Sequence, residues 1–498
     1  MKNSIISYPR IGANRELKFA IEKYFKNQSS KEELLKSAKD LRIRHWQEIQ
    51  KAGIDFIPSN DFSLYDNVLD AAVLFNIVHT KYKNLNLDAL DEYFAQSRGY
   101  QGENGDVTAL AMKKWFNTNY HYLVPECDNA DIIALTGDKI FKEYLEAKEL
   151  GIESKPVLIG IFTLFKLIAF KDEKTQKLAK EKLLNAYIEL FDKLNELKVT
   201  WLELDEPYLV YDLSKEDIAL FEEFYQELLN HKKDLKILLQ SYFGDLRDIY
   251  PKLLESKFDA LGLDFIEGKQ SLALVQKYGF AKDKILFAGL INGKNIYTND
   301  YAKSLKLIKE LQKYTQNIIL NTSCSLLHVP YSTEFESKLD SNYLKLFSFA
   351  KEKLQELKDL KEILNSSEEN PLFRANQELF KNIPERLDEK VKARLKALKK
   401  EDFTRTPSFK ERALIQKEFL KLPLLPTTTI GSFPQSADVR SNRLAFKQEK
   451  ISAQNYTEFN QQKIKECIQI QEEIGLDVLV HGEFERNDMV EYFGENLK

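Results

Sequence analysis

The sequence predicts an α/β protein with a (β/α)8 TIM-type barrel, followed by a helical linker and the first βα units of a second, incomplete barrel. Three observations predict this arrangement. Apolar, β-branched segments alternate with amphipathic segments before residue 330, a Lys-, Glu- and Leu-rich region follows, and an early segment is repeated near the end of the chain. We therefore expect a first barrel at residues 1–347, a linker at 348–425 and the start of a second barrel at 426–498.

Eight segments in the first region have the length and composition of buried strands. They are Ser4–Tyr8, Gly53–Pro58, Pro156–Phe162, Val199–Leu204, Leu235–Ser241, Phe258–Asp264, Lys284–Leu290 and Asn317–Thr322. Helical patterns such as Lys31–Ala52 separate many of them, and residues 66–150 form a partly helical insertion. Eight strands that alternate with helices favour a closed barrel over the alternative, an open doubly wound sheet.

The region Ser348–Leu422 is rich in Lys, Glu and Leu and poor in β-branched residues, which predicts long helices. A coiled coil is one interpretation. A helical linker packed against a barrel is favoured, because the apolar heptads are not sustained over three or four repeats. The segment LPLLPTTTIGSFP then ends the helices, since proline and glycine interrupt helical structure.

Two segments of the chain have similar sequences: AGIDFIPSNDFSLYDNV at Ala52–Val68 and IGLDVLVHGEFERNDMV at Ile474–Val490. Identical residues align without gaps at Gly53 and Gly475, Asp55 and Asp477, Phe62 and Phe484, Asp66 and Asp488, and Val68 and Val490, while Asp61 aligns with Glu483. We favour duplication over chance similarity of two βα units. Two duplicated strands would leave an open sheet edge and an apolar face in the last region.

The composition argues against several classes of protein. Lys and Arg number 73, and Asp and Glu number 77, so the net charge of −4 gives no support for a nucleic-acid partner. No apolar window of about 18 residues is present, so we expect no transmembrane helix and no membrane partner. The N-terminus lacks the apolar segment of a signal peptide. Three scattered cysteines argue against a disulfide framework and for a reducing cytoplasm.

Two carboxylates lie at the end of the fourth predicted strand, in TWLELDEPYLV. Active sites of (β/α)8 barrels lie at the carboxyl ends of the strands, so Asp205 and Glu206 are in a suitable place for function. The alternative is a structural pair of charges that binds a neighbouring loop. The sequence favours neither interpretation.

Basic residues follow the first strand and precede an aromatic segment. Arg15 and Lys18 of RELK are three positions apart, so they would share one face of a helix. Lys113 and Lys114 precede WFNTNYHYLVPE. Basic groups beside aromatic rings suit a ligand with an anionic tail and a planar ring. By spacing alone, however, a solvated face is the favoured interpretation of each basic pair.

The segment TTTIGSFP places Ile430, Gly431 and Ser432 at a predicted strand end, and Glu483 follows the next strand. Glycine allows backbone N–H groups to approach an anion closely. A backbone anion site beside a carboxylate would suit the two charges of a free amino acid. The alternative for Glu483 is a helix-capping or loop carboxylate, and His481 beside it is more often structural than catalytic.

Cysteine and histidine offer a second candidate chemistry. Cys324 and His328 in SCSLLHVP could form a nucleophilic pair, although a buried structural cysteine is more common. No C-x-C, C-x-x-C or H-x-C motif is present, so the sequence predicts no complete local metal site.

Seven segments together resemble the cobalamin-independent methionine synthases: YPRIGANRELK, WFNTNYHYLVPE, LELDEPYLV, GLINGKN, SCSLLHVP, TTTIGSFPQ and VLVHGEFERNDMVEYFGE. The resemblance covers the whole chain. It implies two face-to-face barrels that arose by duplication. It also implies transfer of a methyl group from 5-methyltetrahydropteroyltri-L-glutamate, a folate polyglutamate, to the sulfur of L-homocysteine, which gives L-methionine without cobalamin.

The resemblance also implies roles for particular residues. Arg15, Glu16, Leu17, Lys18 and Lys114 match folate-binding positions, and the basic ones suit the anionic glutamate tail. The positions that match homocysteine- and methionine-binding residues are Ile430, Gly431, Ser432 and Glu483.

The family uses zinc to convert the homocysteine thiol into a thiolate, and a general acid to protonate the folate nitrogen. The resemblance implies that the zinc ligands and the general-acid histidine lie beyond Lys498. The corresponding first-barrel positions are Gln240, Ser241, Tyr242, Asp264 and Cys324, of which only Cys324 matches a ligand type. We therefore expect no zinc and no catalytic residue in this chain.

Three hypotheses follow for the chain of 498 residues. It is a C-terminally truncated methionine synthase without activity of its own, a non-catalytic binding module for folate polyglutamates, or one half of a split enzyme whose partner is the missing C-terminal half. The coding sequence downstream of Lys498 would distinguish them.

Overall fold

The computed structural model describes residues 1–366, 370–383 and 388–497. The chain divides into two compact units, Met1–Pro384 and Glu385–Lys498. Eight parallel strands form the centre of the first unit: β1 Lys2–Asn3, β2 Pro58–Ser59, β3 Lys155–Ile159, β4 Trp201–Asp205, β5 Lys236–Gln240, β6 Ala260–Asp264, β7 Ile285–Ile291 and β8 Ile318–Thr322. Hydrogen-bonded neighbours follow the order β1-β8-β7-β6-β5-β4-β3-β2.

The two edges of this sheet meet. Ser4, directly after β1, pairs in parallel with Phe56, which precedes β2. The backbone N–H of Phe56 also donates to the carbonyl oxygen of Asn3 at 3.2 Å. The sheet is therefore a closed barrel, which confirms the predicted fold class and excludes the open doubly wound sheet. The third to eighth strands overlap their predicted positions.

The first strand differs from its prediction. Ser4–Tyr8 was the expected strand, but the regular ladder ends at Asn3. Beyond Ser4, backbone amides donate to side chains: that of Ile6 to Thr322 Oγ1 at 3.3 Å, and that of Tyr8 to Asp61 Oδ2 at 3.0 Å. Side-chain acceptors thus satisfy amides that a neighbouring strand would otherwise pair.

Helices surround the barrel and fill the insertion after β2. They are α1 Glu16–Phe25, α2 Lys31–Lys51, α3 Asn67–Leu74, α4 Thr80–Lys83, α5 Ala89–Arg98, α6 Lys139–Glu149, α7 Ile161–Leu167, α8 Glu173–Glu196, α9 Lys215–Asn230, α10 Tyr250–Glu255, α11 Ser271–Tyr278, α12 Tyr301–Leu311, α13 Ser341–Leu344, α14 Ala350–Asn365 and α15 Pro371–Lys381. Short 3-10 helices lie at Ala130–Ile132, Pro207–Val210, Leu326–His328 and Thr333–Phe335.

Three small strand pairs lie outside the barrel. Tyr100–Gly102 pairs with Gly105–Val107, Met112–Lys114 pairs with His121–Leu123, and Glu126–Cys127 pairs with Ala169–Phe170. The first two pairs are antiparallel hairpins within the insertion.

The predicted helical region begins with α14, which packs on the barrel. Ala350, Leu354, Leu357 and Leu360 of this helix belong to the main hydrophobic core. The predicted linker, 348–425, includes residues 367–369 and 384–387, which lie outside the described residues. The predicted domain boundaries therefore stay predictions.

The second unit contains α16 Glu389–Lys396, a 3-10 helix at Lys400–Phe403, α17 Phe409–Leu420, α18 Ala437–Lys447, α19 Ala453–Ile474 and α20 Met489–Asn496. Its buried cluster is small and consists of Val439, Cys467 and Phe484. Within the part of this unit that the structure describes, the only strand pairing is a parallel bridge between Ser432 and Gly482. None of the described helices in either unit has the length and apolar character needed to cross a membrane.

Helices α18, α19 and α20 of the second unit repeat α1, α2 and α3 of the first at a spacing of 422 residues, to within one residue at each end. Positive backbone φ angles occur at Asn27 and Glu449, at Gly53 and Gly475, and at Asn60 and Gly482. Helix α2 begins after the capping serine Ser30, and α19 begins after Ser452. Asp66 caps α3 through the amide of Leu69, and Asp488 caps α20 through the amide of Glu491.

Within each unit, hydrogen bonds of the same pattern join the two segments that precede and follow the long helix. Asp55 Oδ2 accepts from the amide of Asn3 at 2.9 Å, and Asp477 Oδ2 accepts from the amide of Thr427 at 2.7 Å. In return, the amide of Asp55 donates to Asn3 Oδ1, and that of Asp477 donates to Thr427 Oγ1. These shared bonds support the duplication that the sequence predicts.

Candidate substrate-binding sites

The two carboxylates at the end of β4 have different environments. Glu206 accepts hydrogen bonds from the amides of Phe162 and Thr163 at 3.0 and 2.7 Å, and from the hydroxyls of Thr163 and Tyr225. Burial raises the pKa of Glu206 to about 7, against the lowering effect of these donors. Because its donors include the first turn of α7, Glu206 has the structural role that the sequence analysis left open.

Asp205 points instead into a cavity at the mouth of the barrel. Its Oδ2 accepts from the hydroxyl of Tyr242 at 3.0 Å. Its Oδ1 is buried and has no hydrogen-bond partner in the described part of the chain. Burial raises the pKa of Asp205 to about 7. Of the two carboxylates, Asp205 is therefore the one available to a ligand.

The RELK segment forms the start of α1. Arg15 precedes the helix with a left-handed backbone, and its side chain and that of Lys18 are exposed. Glu16 Oε1 accepts from Arg44 Nη2 at 2.7 Å. Burial alone would raise the pKa of Glu16, but hydrogen bonds from its own amide and from Arg44 lower it. Leu17 packs in an apolar cluster with Ala38, Leu41 and Phe62. Arg15 and Lys18 are therefore the exposed cations of this segment.

Lys114 lies on the hairpin strand Met112–Lys114 and pairs with His121 across the hairpin. Its side chain is exposed. The hairpin and α1 pack on one apolar cluster, to which Leu123 contributes from the hairpin and Tyr24 and Phe25 contribute from α1. The two predicted folate-binding segments thus pack against the same cluster of the first unit.

The second unit brings three of its four predicted site residues together. Ser432 pairs with Gly482, which directly precedes Glu483. A side-chain Cβ at Gly431 would lie 3.3 Å from Glu483 Oε1. The side chain of Ile430 is 95% exposed. Gly431, Ser432 and Glu483 are therefore close together, and their role as an amino-acid cradle stays a prediction.

The sequence analysis missed the partner of Glu483. Arg486 forms an ion pair with the Glu483 carboxylate, and the amide of Glu483 donates to His481 Nδ1 at 3.2 Å. The three-residue spacing in GEFER is the signal that could have indicated this pair. An incoming ammonium group would share Glu483 with Arg486 or displace it.

The structure does not support a nucleophilic Cys324–His328 pair. The Cys324 thiol lies 3.8 Å from the carbonyl oxygen of Ser325, and His328 packs edge-on against the rings of Tyr120 and Phe243. Burial raises the pKa of Cys324 and lowers that of His328 to about 4. Both shifts oppose a thiolate–imidazolium pair.

The first-barrel residues that the sequence analysis compares with zinc ligands do not fit a metal. Gln240 accepts from the amide side chain of Asn321 and donates to the carbonyl oxygen of Ser241. The Asp264 carboxylate accepts from three backbone amides, those of Phe243, Ile266 and Glu267. In residues 1–366, 370–383 and 388–497, no three His, Cys, Asp or Glu side chains are grouped closely enough to hold a metal ion.

Comparison with family models identifies the class of protein. Residues 2–316 match the model described as the N-terminal domain of cobalamin-independent synthase. Residues 425–498 match the model described as the catalytic domain of the same family. The chain therefore belongs to the cobalamin-independent synthase family, as the sequence motifs predict.

Relatives agree with this assignment. The chain is 99% identical over 498 residues to 5-methyltetrahydropteroyltriglutamate–homocysteine methyltransferase of Campylobacter jejuni subsp. jejuni serotype O:6 (strain 81116 / NCTC 11828). It is 53% identical over 499 residues to the protein of the same name from Streptococcus gordonii (strain Challis). In both comparisons the match covers all of this chain and 66% of the relative, which is slightly less than two thirds of its length.

Among solved structures, the chain is similar to a B12-independent methionine synthase from Shewanella sp. W3-18-1 in complex with selenomethionine. The match has a TM-score of 0.47 and 15% sequence identity, and it covers 68% of this chain and 90% of that chain.

Proposed function

We propose that this chain contributes two substrate-binding surfaces to a methyltransferase that moves the methyl group of 5-methyltetrahydropteroyltriglutamate to homocysteine. In this proposal the first unit binds the glutamate tail of the folate, and the second unit binds homocysteine. The names of the relatives support the reaction. The observation on which the assignment of surfaces depends is the close approach of Gly431 to Glu483 in the second unit.

The homocysteine surface consists of backbone groups at residues 430–432 and the carboxylate of Glu483. Gly431 has a positive φ, which disfavours other residues, and a Cβ at this position would make a tight contact of 3.3 Å with Glu483 Oε1. Backbone N–H groups would bind the carboxylate of the substrate, and Glu483 would accept from its ammonium group. Arg486, which pairs with Glu483, would adjust to the substrate's two charges.

The glutamate-tail surface consists of the exposed cations Arg15, Lys18 and Lys114. Each glutamate of the tail adds a negative charge, so exposed cations attract a long tail more than a short one. Lys18 Nζ lies 3.7 Å from Glu22 Oε1 in an exposed ion pair. An anionic ligand could replace Glu22 as the partner of Lys18 at little cost in free energy.

Calorimetric titration of the purified chain with L-homocysteine tests the first surface. Glu483→Gln should weaken binding about tenfold, because it removes a charge-assisted hydrogen bond. Glu472→Gln, at an exposed position of α19, is the matched control and should leave binding unchanged. Equal affinities of the Glu483→Gln variant and the unaltered chain would contradict the assignment.

Titration with triglutamate and monoglutamate forms of the folate tests the second surface. Lys114→Ala and Lys18→Ala should each weaken the triglutamate form by about two- to fivefold more than the monoglutamate form. Lys113→Ala on the same hairpin strand is the control. An equal loss for both forms would show that the lysines do not contact the tail.

We infer that the described residues bind these substrates without activating the thiol. The positions that correspond to zinc ligands are engaged in other hydrogen bonds, and no metal-binding group of three exists in the parts of the chain described above. Elemental analysis and a methyl-transfer assay of the purified chain test this. Stoichiometric zinc together with turnover would overturn it, and neither result affects the two binding titrations.

A further inference from the structure

A cavity of about 420 Å³ opens at the carboxyl ends of the first barrel's strands, and the proposed function does not use it. It lies entirely within the first unit. Residues that follow β1, β2, β5 and β8 line it, among them Ser7, Asp61, Tyr242 and His328, and Asp205 ends β4 within it. Its volume lies in the range of small-molecule sites, and the mouth of a (β/α)8 barrel is where such sites occur.

One wall of this cavity contains an unsatisfied carboxylate oxygen. Asp205 is only 4% exposed. Tyr242 donates to its Oδ2, whereas its Oδ1 has no partner in the described part of the chain. A buried carboxylate oxygen without a donor is unfavourable, by roughly 1–3 kcal/mol in mutational studies. A donor that enters the cavity would remove this cost.

Aspartates outnumber lysines and arginines in the cavity lining. Its acidic, basic and histidine residues are Arg10, Asp61, Asp66, Asp70, His121, Lys139, Asp205 and His328. Lys139 is already paired with Asp70 at 3.2 Å and Glu143 at 3.5 Å, and Arg10 donates to two backbone carbonyls. Behind the wall, Lys155 is paired with Glu203. In the described part of the chain, neither Asp205 nor Asp61 forms a direct ion pair, although the charge of the nearby Lys155 acts to lower the pKa of both carboxyl groups.

The remaining walls favour an organic cation over a metal ion. Trp115, Tyr120 and Tyr122 line the cavity and provide ring surfaces. The lining carboxylates do not converge, because no three metal-ligating side chains in the described residues lie close enough together. Aromatic rings bind both apolar groups and ammonium groups.

The duplication supplies an independent argument. Asp61 occupies the position in the first barrel that Glu483 occupies in the second unit, 422 residues later. Asp61 accepts from the amide of Tyr8 and lines the cavity. An acidic residue is thus present at the aligned position of both copies.

We propose that the first-barrel cavity binds a small organic molecule with a primary ammonium group and an apolar body. The ammonium group donates to Asp205 Oδ1 and is attracted by Asp61, and the body lies against Trp115 and Tyr122. The folate tail is not this ligand, since its carboxylates would face the carboxylates of the lining. The residues of this site differ from those of both surfaces in the proposed function.

Calorimetric titration of the purified chain with phenethylamine and 2-phenylethanol tests the proposal. These probes have similar shapes, but only the amine is charged. The amine should bind at one site per chain, at least tenfold more tightly than the alcohol. L-Phenylalanine, which adds a carboxylate, should bind more weakly than the amine. The proposal is overturned by no saturable binding of the amine, by equal binding of the alcohol, or by tighter binding of phenylalanine.

Two variants locate the site. Asp205→Asn should weaken phenethylamine binding at least tenfold while it retains the size of the side chain. Asp212→Asn, at an exposed position of the same loop, should leave binding unchanged. If Asp205→Asn does not fold, as judged by circular dichroism, Asp61→Asn replaces it with the same expected direction. Unaltered amine affinity in the folded variants would place the amine elsewhere and overturn the proposal.

Discussion

The two copies of the repeated βα unit have the same local structure but different burial. In both copies a serine caps the long helix, a glycine with positive φ ends it, and an aspartate caps the next helix. Phe62 and Phe484 are buried at the same position. Val68, however, is 0% exposed, whereas Val490 is 75% exposed.

This difference distinguishes the local structure that short segments of sequence determine from the burial that tertiary contacts determine. Caps and turns depend on residues a few positions apart, so each copy forms them by itself. Burial of Val68 depends on β3 and the hairpin strand His121–Leu123, against which α3 packs. In the described part of the second unit, no ladder flanks the Ser432–Gly482 bridge. The same side chain is therefore core in one copy and surface in the other.

The helix cap should show the largest difference between the copies. Asp66 accepts from the amides of Leu69 and Leu123 at 2.8 and 3.1 Å, while Asp488 accepts only from the amide of Glu491 among the described residues. Asp66→Ala should cost about 3 kcal/mol of stability, because it removes a cap and leaves a buried amide unpaired. Asp488→Ala should cost about 1 kcal/mol.

Urea denaturation followed by tryptophan fluorescence measures the first loss, since Trp46, Trp115 and Trp201 all lie in the first unit. Hydrogen exchange of the α20 amides measures the second. Asp66→Asn, which retains the acceptor oxygen, is the control and should restore part of the stability. Equal losses in the two copies would refute the claim that tertiary contacts add to the cap only in the first copy.

An intermediate difference should appear at the paired valines. Val68→Ala should destabilise the first unit by about 2 kcal/mol, because it removes buried methyl groups and leaves a small cavity. Val490→Ala should change stability by less than about 0.5 kcal/mol. Urea denaturation followed by tryptophan fluorescence measures the effect of Val68→Ala, and hydrogen exchange of the α20 amides measures that of Val490→Ala. A loss above about 1 kcal/mol at Val490 would mean that its side chain is covered in solution.

Much of the fold follows from sequence, because it depends on local patterns. The β-branched segments predict six of the eight strands well, and the ends of two neighbouring predicted strands indicate that Gly431 and Glu483 lie close together. The first strand was predicted too far along the chain, because Asp61 and Thr322 supply acceptors from distant segments.

The separate roles of Asp205 and Glu206 could not be predicted either. Glu206 is fixed by amides at the start of α7, and Asp205 is bound by Tyr242, which follows β5. These partners are 37 to 44 residues away in sequence. Only the closed barrel brings them together, so adjacent carboxylates acquire different environments.

The smallest difference concerns the turn between the first two helices of each copy. Asn27 has a φ of 54° and Glu449 has a φ of 58°. Asparagine tolerates this left-handed conformation better than glutamate does. Exchanging the two residues should therefore have opposite effects: Asn27→Glu should cost about 0.5 to 1 kcal/mol, and Glu449→Asn should stabilise the second unit by a similar amount.

Thermal unfolding by calorimetry, with hydrogen exchange at the turn amides, measures both effects. The hydrogen bonds of the turn are the same in the two copies: the amide of Asn27 donates to Tyr24 at 3.0 Å, and the amide of Glu449 donates to Phe446 at 2.9 Å. Backbone conformation is then the main variable. Glu449→Gly removes the Cβ, so it should leave the stability of the second unit unchanged or raise it. If Glu449→Asn and Glu449→Gly both destabilise the unit, the glutamate side chain makes a contact of its own.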